Sequence, residues 1–170
     1  MKSDGRTGSL IVTPSSGLTP FGFAFARGRL IVSEAAAGVA GESSVSSYAV
    51  SGEGLEVISG AVPDFGTAAC WLVVTGNGSY AYTSNTGSGQ VSSYRVRDDG
   101  TLRLLDATAS DTSDTSLPID MARSSDSRYL YVHLAGKRTV AVFRIQDNGA
   151  LTRLQTISGL SRGAQGIAAR

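Results

Sequence analysis

Three side chains in this sequence have the chemistry of proton transfer at useful places: Glu34, Asp120 and His133. A carboxylate or an imidazole can take a proton from an attacking water, and histidine titrates nearest neutrality. Three others suit the holding of a polar ligand: Trp71 by stacking, Asn85 and Asp64 by hydrogen bonding. Their spacing makes them worth weighing together. Glu34 and Asn85 fall at matching places in the chain, and so do Trp71 and Asp120, with Gly22 and Gly166 as their counterparts. Each also has a plainer role. Asp120 can cap backbone N–H groups, Trp71 can fill a core, and Glu34 and Asn85 can bond the ends of strands. His133 lies in the middle of the apolar run "YLYVHLAG", where a packed histidine is common.

Composition removes several function classes. The chain has 170 residues and a net charge of +1, with Lys and Arg spread along it, which argues against a phosphate-binding surface for nucleic acid. A single cysteine, Cys70, excludes an intrachain disulfide framework and a cysteine-based zinc cluster. With one histidine in the chain, a multi-histidine metal site is excluded as well, so neither metal nor cofactor is expected. No apolar run reaches the length of a membrane-spanning helix. The opening "MKSDGRTGS" has no apolar leader core, which favours a cytoplasmic location.

The elements that must position these residues are visible as a repeat. "VSSY" occurs at 45–48 and 91–94, and a weaker copy, "VAVF", at 140–143. Each is followed by a glycine-bearing turn and a leucine, as in "SGEGLEVI", "RDDGTLRLL" and "QDNGALTRL". Each is preceded by a turn and an apolar strand, and before those come "PFGFAF", "ACWLVV" and "PIDMAR". Turns such as "GNG", "DDG" and "DNG" tolerate positive φ and join strands as hairpins. Four short antiparallel strands per period of 46 to 49 residues is the pattern of a β-propeller blade. The expected fold is therefore all-β, a single propeller domain with blades near 19–59, 67–106 and 117–157. An orphan outer strand is expected at 8–13 and an orphan inner strand at 163–169.

The stretches "TPFGFAFARGRLIVSEAAAG", "TAACWLVVTGNGSYAYTSNTGSGQVSSYRV", "PIDMARSSDSRYLYV" and the final "GAQGIAAR" resemble the seven-bladed lactonase-like propellers. These are relatives of propeller-type 6-phosphogluconolactonase and carboxymuconate cyclase, and the resemblance is to their C-terminal half. It implies hydrolysis of a lactone of a sugar acid or related small molecule, with catalytic side chains drawn from several blades. The His, Arg and Glu motifs of that family have no residue-by-residue match here. The alternative reading is a non-catalytic module that binds a protein or small ligand through its rim, or a half-propeller with no activity of its own. Three blades expose the apolar flanks of the first and last, so the expected partner is the chain itself, in a dimer or larger ring.

Overall fold

The computed structural model describes residues 5, 6 and 8–170. Its described residues form three four-stranded antiparallel sheets, each a meander of consecutive strands. The first sheet contains β1 (Pro20–Ala26), β2 (Arg29–Glu34), β3 (Ser44–Ser51) and β4 (Gly54–Pro63). The second contains β5 (Ala69–Val74), β6 (Tyr80–Asn85), β7 (Gln90–Val96) and β8 (Leu102–Asp111). The third contains β9 (Pro118–Arg123), β10 (Tyr129–Leu134), β11 (Thr139–Ile145) and β12 (Leu151–Ser158). One short 3-10 turn, Ala36–Gly38, sits in the β2–β3 loop. The sheets do not close on one another, and the architecture is that of a partial β-propeller.

Alternation along the strands decides how the blades stack. Ala24, Ala26, Ile31 and Val45 on the back of the first blade pack with Leu72, Val74, Tyr94 and Leu102 on the front of the second. Val73, Tyr80, Tyr82 and Val91 on its back pack in turn with Met121, Leu130, Val132 and Phe143 of the third. Polar contacts tie the same interfaces. The Tyr82 hydroxyl donates to Gly149 O at 2.9 Å, and the Tyr94 hydroxyl to Val62 O at 3.1 Å. The inner strands β1, β5 and β9 lie side by side. At Gly22 the approach is so close that a Cβ would sit 2.8 Å from Cys70 O, which explains glycine there.

The two ends of the stack differ from the interfaces within it. On the front of the first blade, Phe23 and Phe25 are 63% and 66% exposed, although the equivalent Leu72 and Val74 of the second blade are buried. Residues 8–13 and 163–169 carry no ladder hydrogen bonds to a neighbouring strand among the described residues. A strand needs a partner to be one, and three blades supply none at either place. Both segments are nevertheless anchored. Thr13 Oγ1 accepts the Leu55 N–H at 3.3 Å, and the Ile167 N–H donates to Asp120 Oδ2 at 2.8 Å.

Candidate functional site

Glu34 ends β2 and is fully buried, not presented at a rim. Its Oε1 accepts the Gly17 N–H at 2.8 Å and the hydroxyls of Ser46 at 2.6 Å and Ser15 at 3.2 Å, while Oε2 accepts the Ser44 hydroxyl. Beside it the Tyr48 hydroxyl accepts the Ser16 N–H at 2.9 Å. Four donors converge on one buried carboxylate, whose oxygens are thereby closed to a substrate water. Gly17 lies against it so tightly that a Cβ would fall 2.3 Å from Oε2.

The second blade repeats the device with other atoms. Asn85 ends β6, fully buried, and its Nδ2 donates to Asp64 Oδ2 at 3.1 Å and to Ser92 Oγ at 2.8 Å. Asp64 Oδ1 accepts the Gly66 N–H at 2.9 Å. Burial pushes the Asp64 carboxyl above its ordinary range, against the opposing pull of those hydrogen bonds. Asn85 Oδ1 is buried without a partner. In the third blade the equivalent residues are Leu134 and Ala141, and the clamp is apolar.

These clamps account for the repeated "VSSY". Its first serine, Ser46 or Ser92, bonds the side chain that ends the second strand. Its tyrosine, Tyr48 or Tyr94, bonds the segment that precedes the blade or crosses from the previous one. The partners Ser15, Gly17, Ser44 and Ser46 were not among the expected site residues. Only Ser46 lies within the repeated motif, so it alone had a signal in the sequence.

The inner strands gather the other expected residues. Phe21 and Trp71 meet edge to face, with ring centroids 6.5 Å apart, and both are partly exposed. Asp120 and His133 are register partners across β9 and β10, and only 6% and 2% exposed. Asp120 Oδ1 accepts the Met121 N–H at 2.7 Å, and Oδ2 the Ile167 N–H, so the carboxylate also caps backbone. His133 Nδ1 is buried with no hydrogen-bond partner. The His133 position belongs to a column that sequence reading passed over. Ser33 occupies it in the first blade and bonds the main chain of Gly22, and Ser84 occupies it in the second with its hydroxyl unpartnered. The structure therefore splits the six expected residues into three groups. Glu34 stands alone in one clamp, Asn85 and Asp64 share another, and Trp71 and Asp120 lie on inner strands, with His133 opposite Asp120 on β10.

No family model and no curated protein matches the sequence. Solved structures do. A functionally unknown protein from Desulfotomaculum acetoxidans matches with a TM-score of 0.68 at 20% identity, over 87% of this chain and 44% of its own. The periplasmic gluconolactonase of Pseudomonas aeruginosa matches with a TM-score of 0.61 at 25% identity, over 81% of this chain and 41% of its own. The hydrazine synthase of Kuenenia stuttgartiensis, at 14% identity and a TM-score of 0.58, shares the fold alone. The chain spans less than half the length of each of these. The likeness supports a lactonase-like propeller fold.

Proposed function

We propose that this chain is the blade-bearing part of a lactonase-like propeller that hydrolyses a lactone of a sugar acid when the ring is complete. The observation that carries the reading is the Asp120–His133 register pair across β9 and β10, with His133 Nδ1 buried and unpartnered. Support comes from the fold and from 25% identity to a gluconolactonase over most of this chain.

The chemistry asked of the pair is modest. The imidazole of His133 takes a proton from water as the water oxygen bonds to the lactone carbonyl carbon. The ring C–O bond then breaks, and the imidazolium returns the proton to the departing alkoxide, giving the hydroxy acid. Asp120 stands opposite His133 on β9, as its register partner. Glu34 has no part in this step, because its oxygens are already engaged.

One observation favours a second reading. The partly exposed Phe21–Trp71 edge is an aromatic platform of the kind that holds a sugar ring or a peptide side chain, which suits a non-catalytic binding module. A pH-stat assay with glucono-δ-lactone, run against the spontaneous rate, separates the two. Hydrolysis above background that falls about 100-fold or more in His133→Gln is the expected result. Equal rates in wild type and variant would remove His133 from the mechanism. A wild-type rate equal to background would remove the lactone reading and leave the binding module.

A further inference from the structure

Arg27 bridges the first two blades at the rim formed by their hairpin turns. It follows β1 and reaches across to the second blade, where its Nε donates to Asn77 O at 2.7 Å and its Nη2 to Ser79 Oγ at 3.1 Å. Its Nη1 meets the Asp98 carboxylate. Asn77 and Ser79 belong to the β5–β6 turn and Asp98 to the β7–β8 turn, so one guanidinium ties two turns of the second blade to the first.

The same arrangement recurs between the second and third blades with one decisive change. Counting from the matched Gly22 and Trp71, the place of Arg27 falls on Gly76, which has no side chain to send across. The acceptors are nevertheless repeated. Asp126 stands in the β9–β10 turn where Asn77 stands in the β5–β6 turn, and Asp147 in the β11–β12 turn where Asp98 stands in the β7–β8 turn. A cleft of about 530 Å³ lies there, lined by Gly76, Tyr80, Asp126, Arg128 and Asp147 among others. Its size is within the ~300–1,000 Å³ of small-ligand sites. Both walls belong to blades packed against each other through the core that includes Tyr82, Leu130 and Phe143.

The charges of the cleft select what it can hold. Arg128 Nε donates to Asp126 Oδ2 at 2.6 Å, so those two side chains compensate each other. Arg123 lies alongside, engaged by the carbonyls of Val74, Ser124 and Ser125. The Tyr80 hydroxyl donates to Asp147 O at 2.7 Å and fixes that residue's main chain, but the Asp147 carboxylate accepts no hydrogen bond among the described residues. Of the charged side chains lining the cleft, only Asp147 is left uncompensated, which disfavours an anionic ligand and favours a cation.

We infer that this cleft binds a guanidinium group, carried by an arginine of a peptide or by a free guanidino compound. The group donates to the Asp147 carboxylate and the Asp126 main-chain oxygen, as Arg27 donates to Asp98 and to Asn77 O. A planar fork of N–H donors serves a carboxylate and a carbonyl together, which the compact charge of an ammonium does less well. Lactone hydrolysis plays no part in this, because the cleft lies at the other end of β10 from His133.

The test is a titration of the full isotope-labelled chain with N-acetyl-L-arginine methylamide, followed by backbone amide chemical shifts. Saturable shifts are expected at the three turns that line the cleft, near Gly76, Asp126 and Asp147. Asp147→Asn, an exposed change, should weaken binding about 5-fold, as loss of an exposed ion pair does. Asp98→Asn, whose carboxylate serves Arg27, should leave it unchanged. Gly76→Arg supplies the guanidinium from within the chain and should abolish the shifts. N-acetyl-L-citrulline methylamide, of similar shape without the charge, should give none. Methylguanidine binding as tightly as the arginine probe would point to a free guanidino compound, and weaker binding to a peptide arginine; either upholds the site. Absence of saturable shifts with the arginine probe overturns the inference. So does equal affinity in wild type and Asp147→Asn, or a citrulline probe that binds as well as arginine.

Discussion

Replacing Glu34 by alanine distinguishes a structural clamp from a catalytic base. The carboxylate, itself fully buried, receives the Gly17 N–H and the hydroxyls of Ser15, Ser44 and Ser46. Each hydrogen bond to a charged acceptor is worth about 1.5–3 kcal/mol, but the hydroxyls can turn toward other acceptors and the four are not additive. The Gly17 N–H cannot turn, and leaving it orphaned costs about 1–3 kcal/mol. Relief from burying a charge offsets part of the loss. The net expectation is about 3–4 kcal/mol, or a fall in Tm on the order of 10 °C for a chain of this size. Urea unfolding followed by circular dichroism measures it, and hydrogen exchange at the Gly17 amide localises it. Loss of protection at residues 15–17 before global unfolding is expected, because the clamp holds that segment to the sheet. A loss under 1 kcal/mol would refute the reasoning. So would a folded variant of wild-type stability that has lost lactone hydrolysis, since that is the signature of a base.

Two further outcomes follow from the same geometry. Burial raises the Asp64 carboxyl, so the native state holds its proton over a window where the unfolded chain has lost it. Stability relative to Asp64→Asn should therefore decline as pH rises from about 3.9 through the raised native value, and be flat below it; a rise across that window in paired urea titrations would contradict the argument. At Gly89, φ is +66° and a Cβ would sit 2.0 Å from Ser113 O, whereas at Gly28, φ +72°, nothing lies within 4 Å. Gly28→Ala should then cost about 1 kcal/mol and Gly89→Ala at least about 3, with equal losses in thermal melts counting against the close-approach reading.

The architecture was legible because a repeat announces itself without any knowledge of contacts. "VSSY", the glycine turns and the alternation of Val91, Ser93 and Arg95 with Ser92, Tyr94 and Val96 identified the blades. The chemistry was not legible in the same way. Sequence reading put Glu34 and Asn85 at one aligned position, but the donors to Glu34 come from Ser15, Gly17, Ser44 and Ser46, and the acceptors for Asn85 from Asp64 and Ser92, brought in by loops and neighbouring strands. A carboxylate surrounded by hydroxyls reads in sequence like a carboxylate facing solvent. The Asp120–His133 pairing depends on a register that includes an irregularity at His133 and Leu134, and strand counting alone does not place it.

By itself, then, the order of residues determined the local period, the hairpin turns and which faces are apolar, since these depend on neighbours a few positions apart. Which polar groups are clamped and which are left unpartnered was decided only by the tertiary structure. It set Gly17 against Glu34 and Ile167 against Asp120, and left Phe23 and Phe25 more than half exposed. Hydrogen-bond satisfaction and burial depend on atoms distant in the chain, and the free energy of a buried polar group turns on whether those atoms arrive.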